Sequence, residues 1–250
     1  MASASGLSPW GAPEDAARYE RGRPDYPRAL TAVLTEQLSL RPNNRALDVA
    51  AGTGKLTRRL VGSGARVIAV EPVAGMRAVL AGLLPGVEVV AGTAERTGLP
   101  PGVADAVTVG QAFHWFRGDD ALAEFHRVLR PGAGLALVWN RRDLSQPLQA
   151  EVDAVIDPHR KDTPSLAGGG WRDAFEHTEL FGALSDAHVP MTQVLDADGL
   201  VDRMLSVSFV AGLPTAGRNQ VAEALRQVAA RHGPLLELRY VTDVYWCAAR

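Results

Sequence analysis

The fold is decided by the stretch Ala46-Leu-Asp-Val-Ala-Ala-Gly-Thr-Gly-Lys-Leu-Thr57, followed by Arg66-Val-Ile-Ala-Val-Glu71. The apolar start of each segment predicts a short parallel strand that is buried on both faces. The two glycines predict a turn, and the residues from Lys55 onward place apolar side chains at helical spacing. Strand, turn, helix and second strand in this order are typical of a doubly wound α/β sheet.

The glycine turn and the end of the second strand carry the features of a nucleotide site. Gly52 and Gly54 have no side chain that would keep a ligand away from the backbone. The helix that follows offers free N–H groups to an anionic group such as a carboxylate or a phosphate. Glu71 follows the turn by roughly 20 residues, the distance at which a carboxylate accepts both hydroxyls of a ribose. Asp48, the only charged residue in the first strand, is expected at the same site.

The glycine pattern discriminates between two kinds of cofactor. The dinucleotide fingerprint requires a third small residue, and this chain has Thr57 at that position. The stretch instead resembles motif I of the class I S-adenosylmethionine-dependent methyltransferases, with Ala50 in the place of the first glycine. The extra methyl group of Ala50 is tolerable there if the local φ is negative.

The resemblance extends to the type 11 small-molecule branch of that family and covers about residues 18 to 142. One departure is Thr93, where many relatives have an aspartate that contacts adenine. The matching stretches are Val87–Glu95, Ala104–Phe116, Glu124–Gly132 and Gly134–Trp139, with Tyr19 and Arg23–Pro27 resembling the N-terminal cap of the family.

This resemblance implies S-adenosyl-L-methionine as the cofactor and S-adenosyl-L-homocysteine as the product. The hydroxyl of Tyr19 is expected to bind the carboxylate of the cofactor, and the backbone of Ala94 is expected to bind adenine. The residues expected to bind the cofactor are Tyr19, Arg23, Asp48, Ala50, Ala51, Gly52, Gly54, Glu71, Pro72, Met76, Thr93, Ala94, Glu95 and Gln111.

The loop from Gly110 to Phe116 follows the fourth strand, where this family places the methyl group and its acceptor. His114 is the catalytic candidate because it alone in the loop can take a proton near neutral pH, although a structural role is equally compatible with the sequence. Trp115 either walls the acceptor pocket or covers the sheet. The residues expected to shape the acceptor side are His114, Trp115, Trp139 and Arg141.

Arginines near the expected mouth of the site suggest a carboxylate clamp. Arg23, Arg141 and Arg142 are the candidates, because a guanidinium binds a carboxylate through two parallel hydrogen bonds. For Arg142 the sequence slightly favours an ordinary surface position.

The expected reaction is methyl transfer to a small organic acceptor, with a hydroxyl or carboxylate oxygen as the nucleophile, by single in-line displacement. A hydroxyl acceptor requires a base, whereas a carboxylate requires none. The loop has Gln111-Ala-Phe-His114 in place of the Asn/Asp-Pro-Pro-Tyr motif of enzymes that methylate DNA bases, and the six histidines lack metal-ligand spacing. Two alternatives stay open: an NAD(P)-dependent oxidoreductase, and a cofactor-binding protein of this fold without transferase activity.

Length and composition favour one compact domain over the 250 residues, which the resemblance identifies as a methyltransferase domain, and no metal is expected. We expect a cap at 1–42, a cofactor-binding core at 43–142, and an acceptor-side segment with closing strands at 143–250. A net charge of −2 argues against nucleic acid as a partner, and the single Cys247 fits a reducing compartment. A cytoplasmic protein without a membrane segment is expected, as a monomer or homodimer.

Alternating strands and helices predict a Rossmann-like, doubly wound sheet of about seven strands with helices on both faces and an N-terminal helical cap. The sheet is expected to be mostly parallel and to end in an antiparallel C-terminal strand. Strands are predicted near 46–50, 66–71, 87–91, 104–109, 134–139, 188–195 and 239–248. Helices are predicted near 28–38, 55–61, 197–205 and 217–231.

Overall fold

A computed structural model describes residues 13–161, 163–164 and 166–250. Its described residues form one seven-stranded sheet in the order β3-β2-β1-β4-β5-β7-β6, mostly parallel with antiparallel pairing toward its C-terminal strands. This confirms the predicted fold class. The strands are β1 (Arg45–Val49), β2 (Arg66–Val70), β3 (Glu88–Val90), β4 (Ala104–Gly110), β5 (Leu129–Arg142), β6 (Ser185–Leu195) and β7 (Leu236–Ala248).

Helices connect the strands, and four of them occupy the positions that the sequence pattern predicts. Short 3₁₀ turns occur at Phe113–Trp115, Asp157–His159, Leu166–Gly168 and Gly170–Arg172. The described α-helices are α1 (Pro13–Gly22), α2 (Ala29–Gln37), α3 (Lys55–Val61), α4 (Ala74–Leu83), α5 (Gly118–Val128), α6 (Pro147–Ile156), α7 (Asp173–His177), α8 (Ala197–Leu205), α9 (Ser208–Ala211) and α10 (Thr215–His232).

The start of β5 differs from the sequence expectation. The resemblance placed a turn ahead of this strand, up to Gly132, whereas β5 already begins at Leu129. Leu129 pairs with Ala104, and the register then shifts so that Ala106 pairs with Gly134. Gly132 has a φ of 76° at this irregularity, which glycine adopts without steric cost.

The chain divides into two compact units. The larger unit contains residues 25–140, 164–189 and 242–250, and the smaller unit contains residues 1–24, 141–163 and 190–241, as far as they are described. The larger unit has a core of strand side chains and aromatic rings that includes Phe113, Phe125, Trp139 and the buried Cys247. The smaller unit has its own core, in which α6, α8 and α10 pack their apolar side chains with those of β7.

Within the larger unit, the chain reverses its direction of sheet growth between β1 and β4. From β1 the chain continues to β2 and β3 on one side, and from β4 to β5 on the other. β1 and β4 are parallel neighbours, with Asp48 beside Thr108 and Val49 beside Val109. In open α/β sheets, ligands bind outside the carboxyl ends of the strands at such a switch point, so the fold places the candidate site there.

No helix within the described ranges combines the length and the apolar character that crossing a membrane requires.

Candidate functional site

The turn after β1 contains two glycines with positive φ, and each is required for a different reason. At Gly52 φ is 58°, and a Cβ atom added there would meet no described atom within 4 Å, so the turn faces open space. At Gly54 φ is 91°, and an added Cβ would lie 3.0 Å from Leu80 of α4. Gly54 therefore permits close packing under the turn, whereas Gly52 leaves room above it for a ligand.

The carboxylate of Glu71 joins this turn to the end of β2. Its Oε2 accepts the N–H of Gly52 at 2.9 Å, and its Oε1 accepts the N–H of Val73 at 2.8 Å. Burial raises the pKa of Glu71, against the lowering effect of these two backbone hydrogen bonds. A carboxylate has about four acceptor positions, so Glu71 retains acceptor capacity for the two hydroxyls of a ribose.

Asp48 is fully buried and anchors the site from within. The Thr57 hydroxyl donates to its Oδ2 at 2.5 Å, and Thr108 on β4 lies 3.5 Å from its Oδ1. Burial raises the pKa of Asp48 to about 7, while the hydrogen bonds from Thr57 and Thr108 oppose this increase. Asp48 thus fixes the first turn of α3 relative to β1 and β4, and its direct contact with a cofactor stays a prediction.

Two non-glycine residues with left-handed backbone flank the switch point. Ala50 follows β1 with a φ of 56°, and Gln111 follows β4 with a φ of 61°. The condition under which the methyl group of Ala50 would be tolerated, a negative φ, is therefore not met: the alanine occupies the left-handed region, which glycine adopts without steric cost. Left-handed backbone at a non-glycine residue costs free energy and recurs at ligand-binding sites.

The residues expected around adenine lie on the loops after β2 and β3. Met76 of α4 and Ala94 are each 3% exposed. Thr93 forms an isolated bridge with Arg96, and Glu95 accepts the N–H of Arg117 at 3.2 Å. These positions, with Pro72 and Ala51, belong to the same unit as Glu71, and their contacts with a cofactor stay predictions.

On the acceptor side, Trp139 fixes the hydrogen positions of His114. The indole N–H of Trp139 donates to Nδ1 of His114 at 3.2 Å. Since an indole nitrogen can only donate, Nδ1 is the acceptor, and the neutral imidazole carries its hydrogen on Nε2. His114 is therefore arranged to donate a hydrogen bond through Nε2, whereas accepting a proton there would require the other tautomer.

An aromatic cluster supports this pair. The ring of Trp139 lies 4.8 Å from that of Trp171, which lies 5.1 Å from that of Tyr245. Trp139 is 1% exposed and Trp115 is 49% exposed, and the role of Trp115 at the acceptor pocket stays a prediction. Beside His114 is an open groove of about 310 Å³, which Phe113, Phe116 and Trp171 also line.

The other candidates belong to the smaller unit. The guanidinium of Arg23 lies 5.2 Å from the ring centre of Tyr19 and donates to the carbonyl of Ser206 at 3.0 Å. Arg141 is exposed near the end of β5, and for these three residues the ligand contacts stay predictions. The expectation of a surface position is wrong for Arg142, whose side chain is only 14% exposed because it is covered within this unit.

Several residues of the site are absent from the sequence-based set. Thr57 served there only to disfavour a dinucleotide, and Thr108 was not singled out, although both hydroxyls bond to Asp48. Asp25 pairs with Lys55 at 3.1 Å and so ties the segment before α2 to α3. For Thr108 the available signal was a single polar residue inside an apolar strand, which indicates buried hydrogen bonding.

Within the residues that the structure describes, no group of three or more histidine, cysteine, aspartate or glutamate side chains is arranged to hold a metal ion.

Comparison with known proteins identifies the family of this chain. Residues 47–137 match the type 11 family whose description is "methyltransferase domain". An uncharacterized methyltransferase-like protein of Schizosaccharomyces pombe is 35% identical over 86% of this chain and 84% of its own. An uncharacterized methyltransferase of Mycobacterium tuberculosis is 38% identical over 90% and 89%. A solved structure of a candidate type II methyltransferase from Anaeromyxobacter dehalogenans is 30% identical, with a TM-score of 0.64, over 91% of this chain and 97% of its own.

The chain belongs to the type 11 family of class I S-adenosylmethionine-dependent methyltransferases. S-adenosylmethionine is accordingly its cofactor. The described residues fit this molecule, since the open space above Gly52 adjoins the buried carboxylate of Glu71.

The strain at Ala50 predicts that Ala50→Gly stabilises the protein. Glycine removes the left-handed penalty of about 1–2 kcal/mol, offset in part by the larger entropy of the unfolded chain. We expect the free energy of unfolding in urea to rise by about 0.5–1 kcal/mol. The neighbouring Ala51→Gly is the control, because Ala51 does not have a positive φ. It should lower the free energy of unfolding, and a loss in both variants would contradict the strain.

The raised pKa of Asp48 predicts a pH dependence of stability. The folded state holds this proton up to about pH 7, whereas the unfolded chain releases it near pH 4, so stability falls as pH rises across that window. Asp48→Asn removes this contribution, which is at most about 1.4 kcal/mol per pH unit. Urea unfolding at steps from pH 4 to 8 should show a shallower decline in the variant. Parallel curves for the two proteins would exclude a raised pKa for Asp48.

Proposed function

We propose that this methyltransferase transfers the methyl group to an oxygen of a small organic acceptor, by single in-line displacement, and that the favoured acceptor oxygen belongs to a carboxylate. The observation that carries this proposal is the hydrogen bond from Trp139 to Nδ1 of His114. This hydrogen bond favours His114 as a hydrogen-bond donor through Nε2 rather than as a base. A carboxylate nucleophile needs no base.

For the cofactor, we assign the ribose hydroxyls to Glu71 and the backbone contact to Gly52, whose N–H Glu71 already orients. When bound, S-adenosylmethionine would supply a methyl group on a positively charged sulfur. The acceptor oxygen would bond to the methyl carbon as the carbon–sulfur bond breaks, which leaves neutral S-adenosylhomocysteine. Asp48 acts indirectly here, because it positions α3 through Thr57.

For the acceptor, His114 donates its Nε2 hydrogen to one oxygen of the carboxylate and leaves the other oxygen as the nucleophile. Trp139, which packs against Trp171 in the apolar core, holds the imidazole through its indole N–H, and we propose that orientation and exclusion of water account for much of the rate. A hydroxyl acceptor with His114 as the base is the second candidate, and it requires the imidazole to turn or to change tautomer.

The remaining assignments are also proposals. We propose a single methyltransferase domain over residues 1–250, a small-molecule acceptor without nucleic acid as a partner, a monomer or homodimer, and a cytoplasmic location. The net charge of −2 supports the absence of a nucleic-acid surface.

Glu71→Gln tests the cofactor assignment. Glutamine keeps the size of the side chain but loses the charge that strengthens hydrogen bonds with hydroxyls, so we expect affinity for S-adenosylhomocysteine to fall about 30-fold. Calorimetric titration measures this. The matched control is Glu88→Gln, an exposed carboxylate on β3 that should leave the affinity unchanged. Equal affinity in Glu71→Gln would remove Glu71 from the site. A parallel titration with NADH and NADPH should show no binding.

A pair of substitutions at His114 separates donor from base. The side-chain N–H of glutamine can replace Nε2–H, so we expect His114→Gln to retain turnover within about threefold and His114→Leu to lose about 10- to 100-fold. Formation of S-adenosylhomocysteine is measured with a panel of small carboxylic acids and alcohols. Equal losses in both variants, together with a pH profile governed by an imidazole, would instead identify His114 as a base.

A further inference from the structure

The smaller unit contains a group of buried polar side chains that the cofactor site does not use. We call it the arginine cluster, and it comprises Arg142, Gln149, Asp153, Arg203 and Tyr240. Arg142 at the end of β5 donates to Asp153 of α6. Arg203 of α8 donates through Nε to the Tyr240 hydroxyl of β7 at 3.1 Å. Besides β5, the helices α6 and α8 and the strand β7 therefore each contribute side chains to the arginine cluster.

Positive charge exceeds negative charge inside the arginine cluster. Arg203 is 5% exposed and the Arg142 side chain 14%, and Asp153 is the one carboxylate among the five side chains. Asp153 is shared further, because Arg160 lies 3.9 Å from it. Burial and the positive charge of Arg203 lower the pKa of Arg142, while Asp153 opposes the shift. The arginine cluster therefore contains two guanidinium groups and a single carboxylate in a largely desolvated environment.

The hydrogen bonds of the arginine cluster are incomplete as well. The Nη1 atoms of Arg142 and Arg203 are buried and have no hydrogen-bond partner among the described residues. The same holds for Oε1 of Gln149, whose amide nitrogen donates to the carbonyl of Arg239. A buried donor on a charged group that lacks an acceptor is unfavourable, and buried polar groups in native structures are usually hydrogen-bonded.

We infer that the arginine cluster is a binding site for the carboxylate or phosphate group of a small anionic ligand. Such a group neutralises the excess charge and accepts the two unpartnered Nη1–H donors, since guanidinium forks match both kinds of oxyanion. Gln149 provides a buried acceptor for a hydroxyl of the same ligand. The side chains of Asp153 and Arg160, 21% and 34% exposed, form the solvent side of the cluster.

A purely structural role explains these contacts less well. An ion pair between Arg142 and Asp153 accounts for one of the two guanidinium groups. Among the described residues, the guanidinium of Arg203 then has only the neutral Tyr240 as its hydrogen-bond partner. Apolar residues of similar volume would fill such a core at lower cost. A ligand with negative charge explains why a second arginine is buried beside the first.

The test is calorimetric titration of the full chain with sodium citrate and, separately, sodium phosphate, in chloride buffer of matched ionic strength. We expect at least one of the two anions to bind, and Arg142→Met and Arg203→Met each to weaken that binding tenfold or more. Citrate alone would identify a carboxylate ligand, and inorganic phosphate alone a phosphate ligand. The control is Arg226→Met, which removes an arginine of α10 that is 50% exposed and should leave the affinity unchanged.

Urea unfolding of the same variants gives the second measurement. Arg203 repels Arg142 and forms no ion pair with a described carboxylate, so Arg203→Met is expected to leave the free energy of unfolding unchanged or higher in chloride buffer. Arg203→Lys, which keeps the charge but not the fork, should bind the anion more weakly than the native chain and more tightly than Arg203→Met. Three results would overturn the proposal: neither anion binds, both methionine variants bind with native affinity, or Arg203→Met unfolds more easily than the native protein.

Discussion

The site depends on the carboxylate of Glu71, which accepts one backbone N–H from the turn after β1 and one from the segment after β2. Two loops that are far apart in sequence are thereby held at a fixed separation by a single side chain. Since the carboxylate is buried, these hydrogen bonds are shielded from water and stronger than they would be at the surface. The turn therefore has its ligand-binding shape before any ligand arrives, which reduces the ordering cost of binding.

Strain and anchoring are balanced at the same edge of the sheet. Ala50 and Gln111 hold left-handed backbone at the ends of the two strands that flank the switch point. Nearby, Asp48 is held by Thr57 and Thr108, which ties α3 to both strands. A strained conformation persists only where the surroundings determine it, and this hydrogen-bonded carboxylate supplies that constraint.

Much of this arrangement could be predicted from the sequence, because it depends on local pattern. The apolar runs predicted the parallel strands, and the spacing from Gly52 to Glu71 predicted a carboxylate at the end of β2. The conformation of Ala50 could not be read from the resemblance, since φ depends on how the turn packs. The hydrogen position on His114 depends on Trp139, 25 residues later, and the burial of Arg142 depends on helices far along the chain. Periodicity does not report such long-range pairings.

The burial of Cys247 has a practical consequence. Burial raises the pKa of its thiol to about 12, so the nucleophilic thiolate is scarcely formed at neutral pH. As the sole cysteine of the chain, it lies in the core of the larger unit near the end of β7. Alkylating reagents therefore reach it only when this part of the sheet opens, and intermolecular disulfides form only from opened molecules. The rate at which Cys247 is labelled therefore reports the frequency of local opening at the end of β7.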